Sequence, residues 1–203
     1  AVGHAGEVAR LQGSRWIRQR RSTREQLLAV SGSSAGDVWA VGEAGTIVHF
    51  DGEDWTATRI RAVKKFSAVW VGSPASVYAI GDGEDVWHYD GQAWRHHVKH
   101  PGSVIGIWGD AASGEVFAYG YSGAIHRWGG GAWKPLPVVT SETLRAACGV
   151  GPSDVTFVGD HGVCLHWDGE TLTSRPTHTS LNLTALAGTA PDHQVAVART
   201  GEL

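Results

Sequence analysis

GTIVHFDGEDW, from Gly45 to Trp55, is one of five related stretches along the chain. The others are GEVARLQGSRW (6–16), EDVWHYDGQAW (84–94), GAIHRWGGGAW (123–133) and GVCLHWDGETL (162–172). The last residue of each copy follows that of the previous copy by 39 residues, as in Trp16, Trp55, Trp94, Trp133 and Leu172. A fixed period of this length is typical of repeat architectures, in which each copy is one supersecondary unit.

Each copy belongs to a longer unit in which we read four short strands. The first strands are LLAVSG, FSAVWVG, VIGIWG, LRAACG and LTALAG, and the second are VWAVG, VYAIG, VFAYG, VTFVG and VAVAR. The third strand is TIVHF or a relative of it, and the fourth begins at the spaced tryptophan. Asp-Gly pairs, a signal of tight hairpins, follow the third strand at 51–52, 90–91 and 168–169. Helical periodicity is not sustained anywhere, so an all-β fold is predicted.

Four antiparallel strands in each 39-residue period are typical of one blade of a β-propeller. A lone sheet with apolar residues on both faces can bury neither face, whereas stacked blades cover one another. We therefore predict a β-propeller of four-stranded antiparallel blades, with about five blades in this chain. The third position of the first strand is always small, as expected for an innermost strand where blades converge: Ala29, Ala68, Gly106, Ala146 and Ala185.

We expect residues 1–203 to form a single propeller domain. Its repeat units are 27–65, 66–103, 104–143 and 144–182, with partial units at 1–26 and 183–203. AVGHAGEV (1–8) and VAVARTGEL (195–203) occupy the same place in the repeat. Either one end lies outside a closed ring of five blades, or the chain is part of a ring of six or seven. The overlap and the absence of methionine favour the second alternative.

The composition sets few limits on function. A net charge of −3 and a pI near 6.4 give no indication of nucleic-acid binding. No apolar run reaches the roughly 18 residues of a membrane span, and no signal peptide is recognisable. Abundant Ala, Gly, Val and Arg suggest a bacterial source.

Cys148 and Cys164 fall in the first and third strands of one unit. That spacing separates them by about 10 Å, too far for a disulfide, so both are expected to be buried free thiols.

The repeat resembles a known class of propeller sequence. Its pattern is L-x-A-V-x-G…D-V-W-A-V-G-x-x-G-x-I-x-H-[FYW]-D-G-x-x-W, and it covers essentially the whole chain. This pattern resembles the tryptophan-rich propeller repeats of secreted and surface proteins of myxobacteria-like organisms, and it is similar to tectonin repeats. The resemblance implies an extracellular or cell-envelope binding module, with lectin-like binding among its roles. The Asp-box of sialidase-like propellers is not matched, because Asp51 and Gly52 are adjacent.

The fifth position of the third strand is basic in every copy: Arg10, His49, His88, Arg127 and His166. Such a series could bind an anion or a metal. Blades would hold these residues too far apart to share one ion, so we favour hydrogen bonds within each blade. A metal site at His96, His97 and His100 is also disfavoured, because neighbours on a strand point to opposite faces.

Basic residues cluster in the fourth strand and the connector to the next blade in three successive units. We predict that they form a basic arc on one face, which would dock an anionic partner; the alternative is ordinary solvated surface charge. The partner-binding residues of this arc are Arg18, Arg20, Arg21, Arg59, Arg61, Lys64, Lys65 and Arg95.

Three tryptophans depart from the repeat and are candidate ligand-binding residues. Trp70 and Trp108 share the fifth place of the first strand, where other copies have Ser31, Cys148 and Ala187. Trp87 departs in the third strand. Aromatic side chains near a channel mouth can stack on sugars or contact a peptide. The alternative is that all three simply pack in the core.

The sequence therefore predicts a non-enzymatic interaction or ligand-binding module that presents loops to a protein or glycan partner. It contains no phosphate loop, no Ser-His-Asp pattern and no metal-ligand spacing, so no catalytic residue, cofactor or metal is assigned. Nucleic acid is not expected as a partner. Two alternatives remain open. One is a propeller hydrolase or lyase with a site at its axis, since paired carboxylates are assembled in space, and the other is a purely structural domain of a larger protein.

Overall fold

The computed structural model describes residues 1–82, 85–99, 104–190 and 192–199. Their regular structure is β-sheet, with short 3-10 turns at His4–Gly6, Tyr121–Gly123 and Asp160–Gly162. No helix in these ranges combines the length and apolar character required to cross a membrane. The chain divides into two compact units, residues 1–99 and residues 100–203.

The first unit contains one hairpin and two four-stranded sheets. The hairpin pairs β1 (Ala9–Gln12) with β2 (Arg15–Arg18), and Val2 forms a further bridge with Val8. The first sheet holds β3 (Leu27–Ser34), β4 (Asp37–Gly42), β5 (Thr46–Phe50) and β6 (Trp55–Arg59). The second sheet holds β7 (Phe66–Ser73), β8 (Ser76–Gly81), β9 (Asp85–Tyr89) and β10 (Trp94–Lys99). All pairings are antiparallel and follow the chain order.

The second unit contains two further four-stranded sheets and a two-stranded one. One sheet holds β11 (Val104–Asp110), β12 (Glu115–Gly120), β13 (Ile125–Trp128) and β14 (Trp133–Pro135). The next holds β15 (Leu144–Gly151), β16 (Asp154–Gly159), β17 (Cys164–Trp167) and β18 (Leu172–Ser174). The last pairs β19 (Asn182–Ala190) with β20 (His193–Arg199). Each four-stranded sheet falls within one sequence repeat, with the predicted order of strands.

A two-residue turn joins the second strand to the third. Ala44 and Gly45 both have left-handed φ, at 56° and 65°, and the Thr46 N–H donates to the Glu43 carbonyl at 3.1 Å. This is the geometry of a type I′ hairpin turn. A Cβ on Gly45 would lie 2.2 Å from the carbonyl oxygen of Ile60, because the chain leaving the sheet crosses directly over the turn. Gly6, Gly123 and Gly162 meet the connector in the same way. Glu84, which takes this place in the second sheet, lies outside the described residues.

The small residue of the first strand follows a β-bulge. The register shifts between Leu27 and Ala29, and the same shift precedes Ala68, Gly106, Ala146 and Ala185. At Gly106 a Cβ would lie 2.4 Å from the ring of Tyr119. At Gly106 the need for a small residue is therefore explained locally, by the Tyr119 ring beside the bulge.

Within each unit, adjacent sheets share an apolar core. In the first unit Trp39 and Val41 pack with Phe66 and Val77. In the second unit the corresponding core contains the fully buried Phe117, Leu144, Phe157 and Leu165. Burial of each phenylalanine contributes about 1.5–3 kcal/mol. Each sheet thus depends on its neighbour for most of its apolar burial, as the repeat predicted.

The two cysteines are free, as the sequence predicted. The prediction that both are buried is wrong, because each is only half-buried. The Cys148 thiol approaches the Gly188 carbonyl oxygen at 3.6 Å. Burial raises the pKa of the Cys164 thiol, so this thiol is protonated and poorly nucleophilic at neutral pH.

Candidate functional site

One polar pair recurs between the second and third strands of a sheet. His49 Nε2 lies 2.9 Å from Asp37 Oδ1, and His166 Nε2 lies 2.7 Å from Asp154 Oδ1. Arg127 makes the equivalent contact with Glu115 through two hydrogen bonds of 2.7 Å. The predicted bonding of this basic series within its own sheet is confirmed for these three residues.

The other two members of the series differ because they lack the acidic partner. Ser76 occupies the acidic position in the second sheet, and His88 stacks on Tyr78 with ring centroids 4.3 Å apart. The Arg10 guanidinium lies over the Phe50 ring at 5.8 Å. His88 thus packs within its own sheet, whereas Arg10 of the β1–β2 hairpin contacts Phe50 of the neighbouring sheet.

Asp37 is the most enclosed of the paired carboxylates. It accepts hydrogen bonds from the Ser33 hydroxyl, from Trp39 Nε1 at 2.9 Å and from His49. Burial alone would raise the pKa of Asp37, but the bonds from Ser33, His49 and Trp39 outweigh it, so the pKa is lowered. The His49 ring also stacks on Trp39 at 3.9 Å. All these donors belong to one sheet, so the Asp37 carboxylate has a structural role.

The histidines of β10 do not form a metal site in the described residues. His96 Nε2 pairs with Asp85 at 3.1 Å. His97 lies at a β-bulge, where its ring meets His88 at 5.4 Å and Tyr78 at 5.7 Å. Burial lowers the pKa of both His88 and His97. His100 lies outside the described residues, and the described ranges hold no group of three or more His, Cys, Asp or Glu side chains suited to a metal.

The candidate ligand-binding tryptophans are not brought together. Trp70 pairs across strands with Tyr78, whereas Trp87 pairs with Ala79, so they lie on opposite faces of the second sheet. The Trp70 ring folds back on its own strand, where a Cβ on Gly72 would lie 2.5 Å away. Trp87 packs edge-on against Phe66 at 6.5 Å.

Trp108 lies in the second unit and bridges neighbouring sheets. It is half-buried at the edge of the core, with its ring 6.0 Å from Phe117. A Cβ on Gly149, in the first strand of the next sheet, would lie 3.0 Å from the Trp108 ring. This contact is close packing between strands.

All eight residues of the basic arc are exposed and lie in the first unit. Three have partners: Arg18 pairs with Glu7 at 3.1 Å, Arg95 pairs with Asp90 at 3.0 Å, and Arg21 donates to the Ala5 carbonyl. The other five side chains have no ion-pair or hydrogen-bond partner among the described residues. They are Arg20, Arg59, Arg61, Lys64 and Lys65.

Arg95 is set apart from the rest of the arc. It is the second residue of β10 and pairs across strands with His88, beside the hairpin turn at Asp90. Arg59, in contrast, is the last residue of β6, and the connector that carries Arg61, Lys64 and Lys65 follows it. The connector is held in place because the backbone N–H groups of Lys64 and Lys65 donate to Asp82 at 2.8 and 3.2 Å.

A groove between the β1–β2 hairpin and the first sheet was not predicted from the sequence. Its apolar part has a volume of about 280 Å³ and is lined by side chains that include Leu11, Trp16, Val30, Phe50 and Trp55. It continues past Phe50 and Trp55 into a charged part of about 510 Å³. Arg20, Arg21, Glu53 and Asp54 line that second part.

The exposure of this groove could not be read from the repeat. Trp16 occupies the place of Trp55, Trp94 and Trp133, yet it is 60% exposed, whereas Trp133 is 9% exposed. Val30 is 42% exposed, although Val69 at the same place in the next sheet is 8% exposed. Trp16 belongs to a two-stranded hairpin, which Val30 also faces across the groove, whereas Trp133 belongs to a four-stranded sheet and Val69 packs against one. The number of neighbouring strands, and not the residue type, accounts for the difference in exposure.

Most carboxylates near the sheets have structural partners. Asp51, Asp90 and Asp168 cap the hairpin turns after the third strands. Asp160 binds Arg145 through two hydrogen bonds, one of them 2.8 Å long. Glu142 binds His161 Nδ1 at 2.8 Å. These contacts assign the acids to turns and ion pairs.

No model of a known protein family and no curated protein matches the sequence. Solved structures do resemble the chain. It is similar to YCF48 bound to a D1 peptide, with 19% identity and a TM-score of 0.64 over 98% of this chain and 66% of that one. It is also similar to YCF48 from Cyanidioschyzon merolae, with 14% identity and a TM-score of 0.74 over 97% of this chain and 74% of that one. This chain therefore spans about two thirds to three quarters of those proteins. The likeness establishes the fold: the chain has an all-β, β-propeller fold built from four-stranded antiparallel blades.

Proposed function

We propose that this chain is a non-enzymatic protein-interaction module whose hairpin groove binds an acidic peptide segment. The observation that carries the proposal is the groove itself. An exposed tryptophan, Trp16, faces an apolar lining that includes Val30 and Trp55. Exposed aromatic side chains in a concave apolar site are typical anchors for a peptide side chain.

Charge complementarity points to an acidic partner. Trp55 and Arg59 lie on the same face of β6, because alternate residues of a strand share a face. Arg59 therefore lies on the same side of β6 as Trp55, at the opposite end of the strand. The connector that follows Arg59 carries the unpaired Arg61, Lys64 and Lys65. A peptide with an apolar residue beside Trp16 and acidic residues along this edge would satisfy both parts. The similar YCF48 structure, which holds a D1 peptide, supports a peptide as the class of partner.

Selection from a random peptide display library on the full chain tests this proposal. We expect enrichment of sequences that combine aromatic or aliphatic residues with Asp and Glu. Affinity for a selected synthetic peptide should fall about tenfold in Trp16→Ala, which corresponds to about 1.4 kcal/mol. Tyr121→Ala is the matched control, since Tyr121 is 51% exposed and lies outside the groove. No enrichment, or an equal loss in both variants, would reject the groove.

The basic edge is tested by salt dependence. A double Lys64→Glu, Lys65→Glu variant should bind the selected peptide more weakly and with a smaller decrease between low and high salt. Arg175→Glu, an exposed cation of the second unit, should leave both values unchanged. If the affinity of the unmodified chain for the peptide does not depend on salt, the basic edge takes no part in binding.

Glycan binding and an extracellular or cell-envelope location stay part of the proposal, supported by the resemblance to tryptophan-rich secreted repeats. A glycan panel read alongside the peptide selection separates the two ligand classes. Saturable binding of a glycan that Trp16→Ala abolishes, with no peptide enrichment, would assign the groove to carbohydrate.

A further inference from the structure

The hairpin turn after β13 lacks the aspartate that caps the other turns. In those turns a carboxylate oxygen accepts hydrogen bonds from two backbone N–H groups, two and three residues further on. Asp51 accepts from Glu53 and Asp54, both at 2.9 Å. The same pattern joins Asp90 to Gln92 and Ala93, and Asp168 to Glu170 and Thr171.

Gly129 stands where these aspartates stand, but this turn is not identical to the others. In those turns the N–H of the capping residue also donates to the carbonyl three residues on, as from Asp51 to Asp54 at 3.4 Å, and Gly129 makes no such bond among the described residues. Gly130 has a φ of +87°, close to the +90° of Gly91 and the +102° of Gly169. By position in the turn, the N–H groups of Gly131 and Ala132 correspond to the capped donors. Neither has an acceptor among the described residues. This turn therefore has two backbone donors without the side-chain carboxylate that the other turns supply.

A cavity lies at these donors. Its volume is about 260 Å³, and it is lined by Glu115, Arg127, Gly129, Gly131, Ala132 and Lys134. Because a water molecule takes up about 30 Å³, the space accommodates a small organic anion. Arg127 and Glu115 neutralise each other through their two hydrogen bonds of 2.7 Å. Lys134 is exposed and has no partner in the described part of the chain, so the cavity carries one surplus positive charge.

We propose that this cavity binds a carboxylate in the place of the missing aspartate. The anion accepts hydrogen bonds from the N–H groups of Gly131 and Ala132, and Lys134 supplies the opposite charge. The carboxylate comes from the C-terminus of a peptide or from an acidic side chain. This site lies in the second unit and does not depend on the hairpin groove.

Amide NMR of the isotopically labelled full chain tests the site, with acetate as the probe. Acetate should shift the Gly131 and Ala132 amide signals in a saturable way, and acetamide, its neutral isostere, should not. Gly129→Asp should abolish the response, because the new side chain would bind these N–H groups as Asp51 binds its own. Lys134→Gln, a substitution at an exposed side chain, should weaken acetate binding about threefold at low salt.

Two further probes identify the source of the carboxylate. N-acetylalanine carries an α-carboxylate, and aspartate blocked at both termini carries only a side-chain carboxylate. The probe that binds more tightly identifies the source of the carboxylate. Absence of a saturable shift with acetate, an equal shift with acetamide, or a full response in Gly129→Asp would each overturn the proposal. If Gly129→Asp does not fold, an acetate affinity unchanged in Lys134→Gln would overturn it.

Discussion

Asp37 begins β4 and His49 lies next to the last residue of β5, opposite Trp39, yet the Asp37 Oδ1 and His49 Nε2 atoms are 2.9 Å apart. Asp154 and His166 repeat this relationship at 2.7 Å, and Glu115 with Arg127 replaces it by a bidentate pair. In each case 12 residues separate the partners. Each pair joins the second and third strands of its sheet. In these three sheets the basic residue therefore makes a structural contact within the sheet and is not part of a ring of ligand-binding residues.

Removal of the Asp37 carboxylate should destabilise the first sheet. Asp37→Ala leaves Trp39 Nε1, which is buried, without its acceptor and also releases Ser33 and His49. We expect a loss of about 2–3 kcal/mol in the free energy of unfolding. Ser76→Ala, at the same place in the next sheet, should change it by less than about 0.5 kcal/mol. Urea denaturation of both variants measures the difference, and equal values would show that these contacts contribute nothing.

The sequence itself carries a signal for this contact between the second and third strands. Asp37, Ser76, Glu115 and Asp154 are spaced by 39 residues, as are His49, His88, Arg127 and His166. Because the two series have the same period and lie on adjacent strands, their members are expected to contact each other in each sheet. Ser76 is not acidic, so His88 is expected to lack this contact. The strands and hairpin turns were predictable because Asp-Gly pairs and alternating apolar residues act locally.

Other features depend on neighbours that a sequence does not specify. Trp16 and Trp133 occupy the same place in the repeat, and only the structure shows that Trp16 is exposed beside a groove whereas Trp133 is buried. The position of Arg95 in a fourth strand predicts membership of the basic arc, yet the structure places it at the other end of the strand, bound to Asp90. Which end of a strand a residue occupies depends on register, and the sequence fixes register only to within a few residues.

Substitution of a turn glycine should destabilise the fold far more where the connector crosses the turn. Gly45 has a φ of +65°, and a Cβ there would lie 2.2 Å from the Ile60 carbonyl oxygen. Gly13 has a φ of +59° with no atom within 4 Å of a Cβ. Gly13→Ala should therefore cost only the left-handed backbone penalty of about 1–2 kcal/mol. Gly45→Ala adds the steric clash and should cost more than about 3 kcal/mol. Thermal unfolding of the two variants compares them, and similar losses would show that the connector moves aside easily.

Acidification should weaken the turns capped by aspartate. The backbone N–H of Thr171, its hydroxyl and the backbone N–H of Glu170 lower the pKa of Asp168 to about 2. A carboxyl whose pKa is lower in the folded state stabilises the fold above its unfolded pKa of 3.8. That contribution is lost as the pH falls through the folded value. Carboxyl NMR titration should show the Asp168 pKa rising in Thr171→Val, which removes the hydroxyl donor but keeps the N–H. An unchanged pKa would exclude the hydroxyl as a cause.

Stability measurements decide whether Trp108 packs or binds. Its ring covers Gly149 and adjoins Phe117 in the core of the second unit. Trp108→Ala should therefore lower the free energy of unfolding by about 2–4 kcal/mol, toward the range measured for buried aromatic residues. Trp16→Ala removes a side chain that is 60% exposed and should cost less than about 1 kcal/mol. Denaturant unfolding of both proteins provides the comparison. A Trp108→Ala variant as stable as the unmodified chain would return this residue to the list of ligand-binding candidates, since only a side chain free of packing is available to a ligand.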